Sequence, residues 1–306
     1  MRLDWDRVER LLGREVLALL AHKTVAIIGL GSGGGFVASS LAMSGVGHFI
    51  LIDADVLQSH NVVRHIGGLS GLGRSKVEVV KDHILERNPQ IQVTAIQGRL
   101  EAHREAIMGA DVVISAVDGE NAKFLINELC LAFALPAIYA GVYERGEGGD
   151  VAMIYPYDGP CYACWAATLR EGYIPPQPNS QGGLDYGLRN EEGTLDAEPA
   201  LWLHVVRVAA AQADLALNML LRETPAYHPM PANTVLLANY ALELIAGHMT
   251  PPYSAEWVAI PRDPTCLVCG QAAYHSTHHL SLDALGDTVL LFEADEAVTS
   301  KDQDHE

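Results

Sequence analysis

Five cysteines and one glycine-rich turn are the parts of this 306-residue chain whose residue types and spacing can do chemistry. Cys161 and Cys164 form a C-x-x-C in GPCYACW, and Cys266 and Cys269 form another in PTCLVCG. Two thiolates can point inward from one such tight turn. Two turns brought together by folding would therefore supply four sulfur ligands to a tetrahedral zinc. With every ligand a sulfur, such a site is closed and structural, with no open position for catalysis. A redox dithiol or a pair of disulfides uses the same spacing, and neither suits a chain of cytosolic character. Cys130 stands apart in the apolar stretch NELCLAFAL and reads as a small core hydrophobe.

The glycine turn lies in VAIIGLGSGGGFVASSLAMSGVGHFILIDADVLQSHNVVR, from Val25 to Arg64. Val25 to Ile28 is a short apolar run of the kind a buried parallel strand uses. Gly29, Gly31 and Gly34 then give G-x-G-x-x-G, Phe36 to Ser44 suit a helix, and a second apolar run ends in Asp53. Strand, glycine turn, helix, strand and acid make a βαβ unit. It seats phosphate on a helix N-terminus, where backbone N–H groups and the helix dipole favour an anion, and a ribose on the acid. The fingerprint by itself marks only a nucleotide, and most such turns bind NAD or FAD.

The elements that must hold these residues follow from the pattern of the chain. Residues 5–20 carry apolar side chains at helical spacing. Ser75 to Arg87 predicts a helix ending near Asn88-Pro89, Ile91 to Ile96 a strand, Glu101 to Ile107 a short helix and Asp111 to Ser115 a strand. Asn121 to Ala132 predicts a helix and Ala137 to Ala140 a fifth strand. Strands alternating with helices at this spacing predict an α/β fold with a doubly wound, mostly parallel, Rossmann-like sheet. From Gly141 to Tyr155 a Gly-rich turn between two β-prone runs predicts a hairpin. Leu201 to Leu221 is a long, nearly all-round apolar helix that must be buried in a core or an interface. Residues 233–263 add strand-like segments, a C-terminal extension of the sheet. The expected organisation is an N-terminal helix plus nucleotide-binding region over 1–170 and a polar, Pro- and Gly-rich loop over 171–199. The rest of the same domain follows over 200–292 with the second cysteine pair, and an acidic tail over 293–306.

Composition narrows the partners. The net charge of −18 speaks against nucleic acid, which demands a basic face, and leaves room for a basic protein partner; it serves solubility equally well. No apolar run reaches the roughly 18 residues that span a bilayer. The start, MRLDWDRVER, is charged and lacks a signal-peptide core, so a cytoplasmic location and no membrane association are expected.

Taken together, GLGSGGG, DADVLQSHNVVR, GRSKVE, SAVDGENAK and the two C-x-x-C pairs resemble, in order and over about Arg10 to Gly270, the MoeB/ThiF/HesA family of adenylating enzymes, prokaryotic relatives of ubiquitin-activating enzymes. The resemblance implies that Asp53 binds the ribose of ATP, that Asn61 and Arg64 form an N-x-x-R pair on the triphosphate, and that Lys76 binds phosphate. It implies that Asp118 lies near the attacked phosphorus and helps hold Mg²⁺, and that the four cysteines hold Zn²⁺. It implies a homodimer in which an N-terminal arginine, Arg10 or its neighbour Arg7, reaches the other subunit's ATP site. The apolar run Leu201 to Leu221 fits a dimer interface or a core helix equally well.

The family chemistry is attack of a small ubiquitin-fold or sulfur-carrier protein's Gly-Gly C-terminus on the α-phosphorus of ATP, with a downstream acyl or sulfur acceptor protein. Cations and a metal suit that reaction because two anions must meet. Taken singly, each residue has a plainer use: Asp53 on NAD, Asn61 and Arg64 in a turn, Lys76 on a solvated helix, Asp118 as a helix cap. The chain departs from the pattern in the crossover loop, residues 171–199, which contains no cysteine to take the acyl group as a thioester. Ser180 could replace it only with an activating base, and none is identifiable. His65, where several relatives carry glutamine, reads as a packing residue. The alternatives are an adenylating dehydratase acting on modified tRNA and an NAD-binding or catalytically silent Rossmann protein.

Overall fold

The structure is a computed structural model and describes residues 3–169, 200–245 and 247–270. The crossover loop with Ser180 and the acidic tail fall outside those residues.

In chain order the elements are α1 (Asp6–Leu12), α2 (Arg14–Leu20), β1 (Thr24–Ile28), α3 (Ser32–Met43), β2 (His48–Asp53), α4 (Ser59–Val62), α5 (Lys76–Arg87), β3 (Gln92–Gln97) and β4 (Val112–Ser115). There follow α6 (Glu120–Ala132), β5 (Ala137–Val142), β6 (Gly148–Ile154), α7 (Tyr162–Leu169), α8 (Trp202–Leu220), β7 (Thr234–Ala238), β8 (Leu242–Ile245), β9 (His248–Thr250) and β10 (Ser254–Val258). All of them lie in one compact unit, Met1–Pro261; a second unit begins at Arg262.

β1 is buried from Val25 to Ile28 because both of its faces are covered. Val25 and Ile27 join the apolar layer made with α3, α5 and α8, whereas Ala26 and Ile28 join the opposite layer made with α6 and α7. This alternation is why the strand reads as a continuous apolar run. Truncating a side chain such as Ile27 to alanine should cost about 2–5 kcal/mol. Among the described residues, eight strands form one sheet in the order β10-β7-β6-β5-β4-β1-β2-β3. The five strands from β3 to β5 are parallel, with Ile28 opposite Ile52 of β2 on one side and opposite Ser115 of β4 on the other. β6, β7 and β10 add antiparallel, and β5 and β6 make the hairpin expected around the Gly-rich turn.

The N-terminal helix is broken at Gly13 into two short helices. The segment over residues 101–107 is two 3-10 turns rather than one helix. α8 buries Val208, Ala213, Leu215, Ala216 and Met219, while Leu203 faces solvent. Packing on α3 and on the sheet explains its apolar character. One polar member of that buried face, Gln212, donates its amide to the carbonyls of Ser115 (2.9 Å) and Ile138 (3.2 Å), pinning α8 to the last residue of β4 and to the start of β5. No helix among the described residues is long and apolar enough to cross a membrane.

Candidate active site

The chain runs outward from β1 to β2 and β3, then returns to the other side of β1 as β4 and β5. A switch of this kind opens a crevice beyond the carboxyl ends of the central strands, where open α/β sheets hold ligands. The glycine turn sits there because nothing larger fits. Gly29 has φ +88°, and a Cβ on it would lie 2.6 Å from the carbonyl oxygen of Ala116 at the end of β4. A Cβ on Gly34 would lie 2.0 Å from the carbonyl oxygen of Gly29, whereas one on Gly31 would meet nothing within 4 Å. Two glycines therefore bring turn, helix and strand together, and the third leaves open space beside the N-terminus of α3.

Asp53, the last residue of β2, grips this turn. Its Oδ2 accepts the N–H of Leu30 at 2.6 Å, and its Oδ1 accepts the N–H of Asp55 at 2.8 Å. A carboxylate offers about four lone-pair sites, so both oxygens retain capacity for further donors. Asn61 and Arg64 follow on α4 and the residues just after it. The side-chain carbonyl of Asn61 accepts the N–H of Gln58 at 2.9 Å in a reciprocal cap, and the Arg64 N–H donates to the carbonyl of Asn61 at 2.9 Å. Spacing of three places the two residues on one side of a helical turn.

Lys76 opens α5. Its N–H donates to the Asp55 carbonyl at 2.9 Å, and its Nζ lies 2.7 Å from Asp55 Oδ2. The lysine side chain is 11 % exposed and its partner 67 %, so the pair has a dry stem and a wet head. The sequence reading did not single out Asp55; its signal was the D-A-D repeat at the end of β2. Asp118 is exposed, two residues beyond the Ala116–Gly29 contact, on the segment leading from β4 into α6. Asp53, Lys76 and Asp118 thus all stand at the carboxyl edge of the sheet. Arg10 is 78 % exposed on α1 and paired with Asp6 at 2.9 Å, and Arg7 is also exposed. A surface pair of that kind is worth about 0–1 kcal/mol and holds the arginine loosely.

Two polar groups near this edge have partners that the sequence did not reveal. His65 is buried; its Nε2 lies 2.7 Å from the Leu30 carbonyl, and its Nδ1 accepts the Gly67 N–H at 2.8 Å. On the first turn of α6, Glu120 and Lys123 form a buried pair at 3.1 Å, and Tyr162 of α7 donates its hydroxyl to Glu120 at 2.8 Å. Tyr162 stacks between Tyr139 and Trp165, so the pair ties the segment after Asp118 to the helix of the first cysteine pair. In sequence, E-x-x-K at helical spacing resembles any solvated ion pair.

None of the five cysteines is in a disulfide. The sulfurs of Cys161 and Cys164 are both buried and 3.8 Å apart, too far for a disulfide of about 2.05 Å. Two ligands at about 2.3 Å from a tetrahedral zinc stand roughly 3.8 Å apart, so this donor pair fits the metal. In the second unit, Cys266 and Cys269 lie in a turn closed by the Gly270 N–H on the Cys266 carbonyl at 2.7 Å. The Val268 N–H points at the Cys266 sulfur at 3.4 Å. Cys130 is buried on α6 with its thiol pushed up to about 12 by burial, which leaves it unreactive.

The chain matches the model of the ThiF family over residues 6–256. It is 27% identical over 267 residues to the SAMP-activating enzyme E1 of Haloferax volcanii, covering 86% of each chain. It is 36% identical over 149 residues to the sulfur carrier protein ThiS adenylyltransferase of Escherichia coli, covering 47% of this chain and 59% of that one. Its fold is similar to that of Escherichia coli MccB solved with ATP, with a TM-score of 0.60 and 22% identity, covering 83% of this chain and 69% of that chain.

Proposed function

The chain belongs to the ThiF family and is an adenylyltransferase; from that premise we propose that it activates the C-terminal carboxylate of a small ubiquitin-like or sulfur-carrier protein ending in Gly-Gly. The carboxylate oxygen attacks the α-phosphorus of ATP, the bond from that phosphorus to the bridging oxygen breaks, and pyrophosphate leaves with the electron pair. No general base is required, because the nucleophile is already an anion.

In this reading Asp53 receives the ribose hydroxyls while it holds the turn, and the open side of Gly31 at the N-terminus of α3 receives phosphate. Arg64 and Lys76 neutralise the charge that grows on the phosphoryl oxygens, and Asn61 orients the triphosphate without adding charge. The exposed carboxylate of Asp118 is a hard oxygen ligand suited to Mg²⁺, which would supply further charge neutralisation at the phosphates. The observation that carries the proposal is the edge itself. Asp53 is locked to the glycine turn at 2.6 Å, and the buried stem of Lys76 brings its ammonium to the same edge at 2.7 Å from Asp55.

Cys161, Cys164, Cys266 and Cys269 hold a structural zinc in this proposal, supported by the all-sulfur donor set and the ligand-like spacing of the first pair. The enzyme works as a cytoplasmic homodimer, with Arg10 lent to the other subunit's nucleotide. The crossover loop, residues 171–199, has no cysteine in its sequence. The enzyme therefore stops at the acyl-adenylate, and a thiol, sulfide or amine of a downstream acceptor takes the acyl group.

An ATP–pyrophosphate exchange assay tests this, with candidate carrier proteins in one arm and tRNA in the other. Exchange that requires a carrier supports the proposal; exchange driven by tRNA, or melting stabilised by NAD rather than ATP·Mg²⁺, rejects it.

A further inference from the structure

Leu30, between the first two glycines of the turn, is held at both ends of its peptide backbone. Its N–H is taken by Asp53 at 2.6 Å, and its carbonyl lies 2.7 Å from Nε2 of His65, the residue next to Arg64. The other ring nitrogen, Nδ1, accepts the Gly67 N–H at 2.8 Å. An amide N–H only donates, so Nδ1 carries no proton and the neutral ring keeps its proton on Nε2, where it donates to Leu30. Both nitrogens are spent and the side chain is buried at 5 % exposure. The fit is close: a Cβ on Gly67 would lie 3.0 Å from Nδ1, and one on Gly35 would lie 3.7 Å from Nε2. The ring is a strut between two segments 35 residues apart in the chain, one that would face phosphate and one that carries Asn61 and Arg64.

We propose that neutral His65 is a positioning residue that keeps the glycine turn in register with Arg64, so that the nucleotide finds both in place. This rests on the adenylation reading above. Register matters because a phosphate must meet the turn's backbone N–H groups and the guanidinium together, and small misplacements are costly in such sites. A second proton on the ring would put an N–H against the Gly67 N–H and break the strut. Burial is the main cause that holds the imidazole below its ordinary value of 6.5; the Lys76 ammonium acts the same way, and the Leu30 bond and Asp53 oppose it. His83 on α5 also couples electrostatically to His65; it is itself lowered by burial and by Arg87, with Glu86 opposing. The sign follows: the neutral strut is complete above pH 6.5 and is lost as the pH falls through the lowered value.

The test measures carrier-dependent exchange against ATP concentration, from neutral to acid pH, in the parent protein and in His65→Ala, His65→Gln and His83→Gln. The glutamine amide has a donor and an acceptor that can repeat the two bonds. His65→Ala should raise KM for ATP at least tenfold, and His65→Gln should recover most of that. The parent and His83→Gln should share a KM that rises in acid, whereas His65→Gln should stay flat. A KM for His65→Ala within twofold of the parent, or an acid rise kept in His65→Gln, overturns the proposal. Nitrogen NMR of labelled histidine reads the ring without turnover, the His65 signal being the one lost in His65→Gln. It should show Nε2–H with a bare Nδ1 at neutral pH, and a proton on Nδ1 there overturns the strut. If the parent exchanges with no carrier at all, the adenylation reading fails, and the NMR result still decides the strut.

Discussion

Replacing Asp53 by asparagine separates holding the turn from binding the nucleotide. The carboxylate accepts two backbone N–H groups, from Leu30 at 2.6 Å and Asp55 at 2.8 Å. Bonds to a charged acceptor are worth about 1.5–3 kcal/mol each. Asparagine keeps one acceptor oxygen, so one of the two N–H groups faces an amide NH₂, which is also a donor. Asp53→Asn should therefore lose about 2 kcal/mol of stability before any ligand is added. The same change removes half of the acceptor surface offered to a ribose, and about 2 kcal/mol there corresponds to roughly a 30-fold weaker response to ATP. Urea unfolding of the unliganded protein reads the first number, and the ATP dependence of pyrophosphate exchange reads the second. An unfolding midpoint equal to the parent's would refute the clamp; an unchanged KM for ATP would refute the ribose role.

Other substitutions separate function from fold in different ways. Lys76→Met keeps the buried stem and leaves Asp55, already 67 % exposed, to water, so stability should change by less than about 1 kcal/mol while exchange falls on the order of 10²-fold. Equal exchange by the variant would remove Lys76 from the phosphate site. Metal analysis of the purified protein should find one zinc per chain, and Cys164→Ser should lose it and melt at lower temperature; a metal-free parent protein refutes that assignment. Cys130 should resist alkylation in the folded protein, and Cys130→Ala should exchange normally. Its contribution to stability is complete below its ordinary value of 9.0 and is lost as the pH rises toward about 12, because the unfolded thiol ionises first. A parent protein and a Cys130→Ala variant that lose stability in parallel above pH 9.0 contradict this account.

Much of the fold could be read from the chain because parallel strands covered on both faces leave unmistakable signs. VAII and FILID are apolar runs, and the glycines between them mark the turn. What sequence could not separate were features whose period is ordinary and whose partners are distant. α3 begins at Ser32, inside the glycines, four residues before the apolar pattern that signals it. Leu201 to Leu221 reads as an interface or a core helix until its contacts with α3 and the sheet are known. The polar supports were hidden for the same reason. Gln212 and the Glu120–Lys123 pair look like surface residues in a string of letters, and His65 like a packing residue with no named partner. Their roles come from carbonyls and rings contributed by strands and helices far along the chain. Asp55 was hidden differently, because a second acid beside Asp53 carries no period and its partner Lys76 comes 21 residues later.

The most direct measurement is pyrophosphate exchange by the parent protein and by Arg64→Ala, each with a carrier protein ending in Gly-Gly. The account predicts exchange that depends on the carrier and that drops by about 10²–10³ in the variant, as expected when one preorganised contact to transition-state charge is removed. Equal exchange by the two proteins, in the presence of a carrier that the parent uses, would contradict it.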